Sequence, residues 1–312
     1  MKNEILIIGR NFHPDGKETA ALIAGALAPY MQKHGARVQL ALFKDLLFDI
    51  SNERVEIIHQ PSGRELNEFG AVVMTNWFSH ASIRKDMALT LALYFKQNGT
   101  PCFNSEALHS RSTSKLSQMM IAVQAEVSVP RTVFSLSLKH LEDYLRKEGW
   151  NEPFILKDAQ ASRGKANYLL QEINDIDSHE SEHSEAHPFM AQALVNSDGS
   201  DCRFFVAGGK VRLVIRRKGT EGSHLYNTSA GATTEIAPVE SFSAKVIDMV
   251  EGMSNALHRE VTGIDIIFDS STKQPFFLEA NPIPQIATGS NVELKLQALA
   301  DALHEALEGE KS

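Results

Sequence analysis

Apolar positions along the chain follow two different rules. In the first third, short all-apolar runs alternate with stretches of helical spacing. Ile5 to Ile8 is continuously apolar and stops at Gly9, which predicts a buried strand. From Glu18 to His34, the residues Leu22, Ile23, Ala26, Leu27, Tyr30 and Met31 recur at helical spacing, and Gly35 ends the pattern. Val38 to Phe43 and Ala71 to Thr75 predict further strands, and Ala81 to Gln97 a helix closed by Gly99. This alternation over residues 1–104 predicts a small parallel sheet with helices on both faces.

After Asn104 the pattern changes. Helices are expected over Thr113 to Ala125 and Leu138 to Lys147, with an extended piece from Val129 to Val133 between them. Short strands then crowd together: Phe154 to Lys157, Ala166 to Leu170, Phe189 to Leu194, Cys202 to Ala207 and Val211 to Arg217. Gly208-Gly209 between the last two is a tight hairpin signal. A long helix over Val239 to Arg259 precedes strands at Ile264 to Phe268 and Phe276 to Ala280, and Val292 to Leu307 closes the chain as an amphipathic helix. The expected architecture is a parallel α/β lobe (1–104) followed by two α+β lobes (105–190 and 191–312) rich in antiparallel strands.

Composition narrows the function. Hydrophobic residues at 43% and charged residues at 22% describe an ordinary globular chain. No apolar run approaches the ~20 residues of a membrane span. A net charge of −8 argues against nucleic acid or an anionic membrane as partner. Cys102 and Cys202 are too few for a disulfide framework or a structural zinc site. Lys2-Asn3-Glu4 and the short run after it lack the form of a signal peptide, so a cytoplasmic protein is expected.

Three features imitate functional sites. His179-Glu-Ser-Glu-His183 matches the HExxH pattern, but its acidic surroundings offer no apolar face to pack beneath a zinc ion, and a solvated segment is expected. The turn Gly9 to Gly16 lacks the glycine spacing of a dinucleotide cradle. Trp77-Phe78 is expected to plug a lobe interface.

The chemistry lies elsewhere. Glu279 and Asn281 are two apart on one strand and share a face, and the preceding strand brings Asp265 to the same face. These strands are otherwise as apolar as Ile-Ile-Phe and Phe-Phe-Leu, where inward carboxylates are unfavourable without a compensating cation. Two carboxylates and an amide oxygen form a hard-oxygen site suited to Mg²⁺ with nucleotide phosphates. Lys157 ends the apolar strand Phe154-Ile-Leu, beside the small-residue loop Asp158 to Lys165, and is placed to meet phosphate oxygens.

In order, Ser114-Lys115-Leu116, Val129-Pro-Arg-Thr132, Lys157, Gln192, Asp201-Cys-Arg203, Arg216-Arg217, Asn227, Asp265 and Glu279-Ala-Asn281 resemble the ATP-grasp ligases. The likeness is to the RimK-type ribosomal-protein glutamate ligase and glutathione synthetase branch. It runs from about Asn104 to the end and suits the first lobe as well. The resemblance implies an ATP-grasp fold whose two α+β lobes clasp ATP. It implies that Lys115 and Lys157 contact phosphates beneath the loop containing Ser162, Arg163 and Gly164. It further implies a hinge at Gln192, Ala193 and Leu194 that reads adenine through its backbone, with Asp201 on the ribose. Arg203 and Arg216 would act on the transferring phosphoryl group as catalytic residues. Asp265, Glu279 and Asn281 would hold Mg²⁺, or Mn²⁺ in its place, with Asn227 nearby. Three departures stand out: Ala193 where the hinge often has an acid, a single glycine in the 161–165 loop, and Pro282 to Gly289 in place of a small-residue Pro-Gly stretch.

The implied reaction is carboxylate phosphorylation by ATP, then displacement of phosphate from the acyl phosphate by an amine. The substrates would be a small-molecule or peptide carboxylate and an amine, and a homo-oligomer is compatible with the chain. Two alternatives stand beside it: a kinase on the same scaffold, and a nucleotide-binding module without turnover.

Overall fold

A computed structural model describes residues 2–10, 19–75, 82–109, 114–158, 167–176, 188–220, 232–282 and 284–309. The turn after Gly9, Trp77-Phe78 and the HExxH stretch lie outside these residues.

The first lobe contains β1 (Glu4–Gly9), α1 (Ala20–Lys33), β2 (Arg37–Leu42), β3 (Leu46–Ile50), β4 (Val55–His59), β5 (Arg64–Glu65), β6 (Ala71–Met74), α2 (Ser82–Gln97) and β7 (Cys102–Phe103). Its parallel sheet has the order β2-β1-β6-β7, as the alternation implies. The small antiparallel sheet β3-β4-β5 has no counterpart in the sequence-based expectation. Its strands mix charged and apolar residues too irregularly to show a period of two, as in Arg-Val-Glu-Ile-Ile-His59.

α3 (Lys115–Gln124) follows. The second sheet is built from β8 (Thr132–Ser135), β9 (Phe154–Asp158), β10 (Asn167–Leu170) and β11 (Phe189–Ala193), with α4 (Leu138–Lys147) on one face. Strict alternation sends Phe154, Leu156, Phe189 and Ala191 into the core beneath α4. Lys157 and Gln192 therefore emerge on the opposite face.

The third sheet runs β14-β13-β12-β15-β16 and is antiparallel throughout. It comprises β12 (Ser200–Ala207), β13 (Lys210–Lys218), β14 (Thr233–Ala237), β15 (Val261–Phe268) and β16 (Pro275–Asn281). Gly208 and Gly209 both take positive φ in the β12–β13 turn, the conformation that a two-residue hairpin demands. The expected long helix is shorter: α5 is Ala244–Leu257, preceded by a 3-10 turn at Val239–Ser241. The closing helix is α6 (Val292–Gly309).

The hydrophobic cores divide the chain differently from three successive lobes. One core joins Ile5, Ile7, Leu27 and Val73 of the first lobe to Phe205, Ile215, Leu299 and Leu303, so α6 packs back on the N-terminal sheet. α3 contributes Met119, Ile121 and Ala122 to the core of the third sheet, and β11 extends the second sheet past residue 190. The expected boundary at Asn104 is a tie between lobes. Its side chain accepts from Val261 N–H at 2.9 Å and donates to the carbonyls of Met74 and Pro282.

Candidate active site

The third sheet has one face buried beneath α5 and α3, lined by Cys202, Phe204, Val214, Ile264 and Ile266. The opposite face carries the other parity of each strand. Half of it is apolar and lies in the core shared with the first lobe. The remainder is charged: Asp201 and Arg203 on β12, Arg217 on β13, Asp265 on β15 and Glu279 on β16. Register places Arg203 opposite Asp265 and Asp265 opposite Glu279, with Gly263 opposite Asn281. The convergence of Asp265, Glu279 and Asn281 on one face is therefore observed. A register shift beside Asp265 leaves Leu278 as an extra residue on β16 just before Glu279.

Arg203 grips Asp265 with two parallel bonds, Nε and Nη2 each 2.7 Å from a carboxylate oxygen. Arg217 lies between Asp265, at 3.0 Å, and Asp201, which it holds through both Nε and Nη2. Burial pushes Asp265 upward, but the two guanidiniums outweigh it and hold its carboxyl below the usual range. Asp201 is raised, because burial exceeds what Arg217 returns. Gly263 makes room for this arrangement: a Cβ there would lie 2.7 Å from Pro284 Cβ and 3.2 Å from Arg203 Cδ.

β16 is the edge strand, and side chains cover its outer backbone at Ala280, between Glu279 and Asn281. Gln118 Oε1 accepts from Ala280 N–H at 2.8 Å, and Arg259 Nη1 donates to the Ala280 carbonyl at 2.5 Å. Arg259 is itself buried against Glu106, its Nε 2.5 Å from the carboxylate.

α3 brings Lys115 to the same place. Its ammonium lies 4.0 Å from Glu279 Oε2, while Asn281 Nδ2 donates to Glu279 Oε1 at 3.1 Å. From the second sheet, Lys157 Nζ donates to Gln192 Oε1 at 2.6 Å. Gln192 Nε2 donates in turn to Thr132 Oγ1 at 3.0 Å, which fixes the amide and hence the ammonium. Burial, with a smaller push from nearby Lys115, lowers the Lys157 pKa to about 8, against the opposing pull of Glu279. Four cations (Lys115, Lys157, Arg203, Arg217) thus meet three carboxylates (Asp201, Asp265, Glu279) across the faces of two sheets. The surplus is positive, as an anionic ligand requires.

Other expected residues fall elsewhere. Arg216 is paired in register with Cys202 and points to the α5 side, where it lines a small pocket with Cys202, Phe242, Phe268 and Lys273. The arginine on the site face is its neighbour Arg217; a strand's period of two separates them. Asp201 is 3% exposed and engaged by Arg217, so its carboxylate is not presented to a ribose in this arrangement. The Gln192 side chain faces Lys157, and the N–H groups of Ala193 and Leu194 donate to the carbonyls of Arg131 and Pro153. Ser162, Arg163, Gly164 and Asn227 lie outside the described residues. Arg217, Gln118 and Arg259 were not singled out as site residues. None of the three has a local sequence signal: the Gly208-Gly209 turn pairs Ala207 with Lys210 and, unbroken, would set Asp201 opposite Arg216, and only the register shift between Phe205 and Val206 sets it opposite Arg217.

Two antiparallel sheets facing each other across lysines, arginines and a carboxylate strand define a nucleotide-grasping fold of the ATP-grasp kind. A family model for the RimK-like ATP-grasp domain matches residues 112–303, and the chain belongs to that family. It is 25% identical over 240 residues to a protein of Maridesulfovibrio salexigens named "Probable alpha-L-glutamate ligase", covering 72% of this chain and 74% of the relative. A protein of the same name from Syntrophotalea carbinolica is 24% identical, covering 93% and 92%. Among solved structures, the ATP-grasp ligase PsnB complexed with a phosphomimetic variant of minimal precursor, Mg and ADP is similar with TM-score 0.70 and 17% identity, covering 97% of this chain and 98% of that one. A Chryseobacterium gregarium RiPP-associated ATP-grasp ligase, in complex with ADP and a leader and core peptide, gives TM-score 0.66 and 14% identity, covering 99% and 97%.

Proposed function

We propose that this chain is an ATP-dependent carboxylate–amine ligase that forms an amide bond on an amino acid or peptide, through an acyl phosphate. The observation that carries this is the held pair of cations, Lys157 and Lys115, beside Glu279 on a face already lined by two arginines. Phosphoryl transfer asks little covalent chemistry of a protein and much positioning of charge. Lys157, fixed by Gln192, and Lys115, at the start of α3, serve to bind and orient phosphate oxygens. Arg203 sits where it can neutralise charge on the acyl phosphate. Arg217 keeps Arg203 and Asp265 in register by anchoring Asp265 from the other side.

The donor set fits Mg²⁺ through hard oxygens. Among the described residues no three His, Cys, Asp or Glu side chains cluster as a metal site, so the third donor must be the Asn281 amide. Glu279 and Asn281 would hold the ion. Asp265 would join through Oδ1, which accepts from Arg203 Nε and keeps a second lone pair, whereas Oδ2 is shared by Arg203 and Arg217. Bound there, the ion would offset phosphate charge, and Mn²⁺ can take the same oxygens.

The test is ADP release, in the presence of Mg²⁺, over a panel of free amino acids paired with peptides ending in acidic residues. Mass spectrometry of the product separates a ligase (an added amide) from a kinase (a stable phosphate ester). Glu279→Gln is expected to abolish release with the fold intact. A stable phosphate ester, or wild-type turnover by Glu279→Gln, overturns the reading. Among the described residues no helix is long and apolar enough to cross a membrane.

A further inference from the structure

Arg259 and Glu106 form an ion pair in the interior. They are 1% and 2% exposed, and Arg259 Nε lies 2.5 Å from Glu106 Oε2. Such a pair is a poor source of stability. Two charges leave water, and the second carboxylate oxygen, Glu106 Oε1, is buried with no hydrogen-bond partner among the described residues. Replacing a buried ion pair by apolar side chains is often neutral or stabilising. What an apolar pair would lack is a donor. Arg259 Nη1 donates to the Ala280 carbonyl at 2.5 Å, on the outer edge of β16. That carbonyl belongs to the peptide group leading directly into Asn281.

The surroundings hold this donor in place. His258 ends α5 in a left-handed conformation, with φ of 52°. The Arg259 backbone is then fastened from both sides by Ser254, whose carbonyl accepts its N–H at 3.0 Å and whose hydroxyl donates to its carbonyl at 2.7 Å. The side chain is thus sent inward from a fixed point. Glu106 begins a 3-10 turn, Glu106–His109, soon after β7 of the first lobe. The neighbouring residues are joined as well. The Glu260 carboxylate accepts from Asn104 N–H, Ser105 N–H and Ser105 Oγ at 2.5 to 3.2 Å. The segment 104–106 is therefore bound to Arg259 and Glu260 side by side, and the Arg259 guanidinium carries that attachment on to β16.

We propose that Glu106 and Arg259 are positioning residues for the metal-bearing strand: Glu106, anchored at the end of the first lobe, aims Arg259 at the Ala280 carbonyl and so sets the spacing of Glu279 and Asn281 for a divalent cation. This rests on the ligase reading above, in which those two side chains hold Mg²⁺, and adds to it the residues that space them. With Nε taken by Glu106, the guanidinium cannot swing away from Ala280 without breaking its own ion pair. Gln118 holds the Ala280 N–H, so the peptide groups on both sides of Ala280 are pinned.

The test compares the wild type with a double variant, Glu106→Leu with Arg259→Leu, in the full chain. Thermal melts report the fold, and isothermal titration of ADP, in chelator and over a range of Mg²⁺ concentrations, reports the site without turnover. The double variant is expected to melt close to the wild type. Its ADP affinity in chelator is expected to be unchanged, while the Mg²⁺ concentration that half-maximally strengthens ADP binding rises about 10- to 100-fold, as loss of an outer partner of a metal ligand implies. Glu106→Gln keeps an oxygen for Nε without the charge and is expected to raise it by about 3-fold, the weaker effect of losing only the charge assistance. A folded double variant with the wild-type Mg²⁺ requirement overturns the proposal; if the double variant does not fold, an unchanged requirement in Glu106→Gln does so. An equal loss of ADP affinity in chelator also overturns it, because the pair would then support the lobe as a whole. A wild type that binds ADP with no response to Mg²⁺ overturns the assignment of Glu279 and Asn281 to the metal, and this proposal with it.

Discussion

Replacing Lys157 with methionine should separate the chemistry of the site from the stability of the fold. Methionine keeps an unbranched apolar side chain of similar reach and removes the ammonium. Burial and Lys115 lower the Lys157 pKa from the ordinary 10.5 to about 8, which corresponds to at most about 3 kcal/mol held against the charged form. The hydrogen bond to Gln192 returns about 1 kcal/mol, which the variant forfeits. The net favours the variant by about 2 kcal/mol near neutral pH, a rise of several degrees in melting temperature. The sign with pH follows from linkage. Between pH 8 and 10.5 the unfolded chain holds more protons at this lysine than the folded one, so wild-type stability rises across that window. The variant's advantage is therefore full below pH 8 and disappears as pH approaches 10.5. Activity should move the other way. Loss of a preorganised cation at a phosphoryl-transfer site lowers turnover by about 100-fold or more. Wild-type kcat/KM should also fall as pH rises through about 8, where the free enzyme loses this charge. The assays are a thermal melt across pH and coupled ADP release. A variant that melts several degrees lower at pH 7 yet keeps full turnover would refute both the electrostatic account and the phosphate role.

Arg217→Met should inactivate the enzyme and destabilise it by about 3–5 kcal/mol, because Asp201 and Asp265 lose their shared cation in a buried setting. Arg216→Met, on the other face, should keep wild-type turnover, and a comparable loss in both would contradict the assigned parity. Gln118→Leu leaves the Ala280 N–H without its acceptor, a cost of about 1–3 kcal/mol. It should also raise the Mg²⁺ concentration for half-maximal ADP release by displacing Glu279 and Asn281, whereas an unchanged Mg²⁺ requirement would show that the clamp does not position them.

Much of the architecture was legible because it rests on local periodicity. The strand at Ile5, the helix from Leu22 to Met31 and the Gly208-Gly209 hairpin each announce themselves within a dozen residues. The carboxylate face was legible for the same reason: Glu279 and Asn281 differ by two, and one short hairpin turn brings Asp265 beside them. What escaped notice is set by long-range register. Nothing local distinguishes Arg216 from Arg217, and only the pairing of Asp201 with Arg217 decides which of them enters the site. Gln118 and Arg259 are equally silent, since each meets Ala280 across more than twenty residues of chain and acts on backbone atoms that leave no residue pattern.

The use of an edge strand for Glu279 and Asn281 has a physical consequence. A central strand would fix its backbone through ladders on both sides, but β16 has only β15 as a neighbour. Its outer groups at Ala280 are taken up by Gln118 from α3 and by Arg259 from the residues just after α5. Phe277 N–H likewise donates to the Ser128 carbonyl at 2.9 Å. α3 thus carries both Lys115, which faces Glu279, and Gln118, which holds the strand beneath it. A shift of α3 would move the lysine and the carboxylate together rather than apart. Charge balance at this edge is then preserved through small motions of the helix, whereas Lys157, mounted on another sheet and tied to Gln192, moves with its own lobe. On the proposed ligase reading, motion between the two sheets would change the distance from Lys157 to the Lys115–Glu279 pair, and that distance would set how strongly the cleft draws in a polyphosphate.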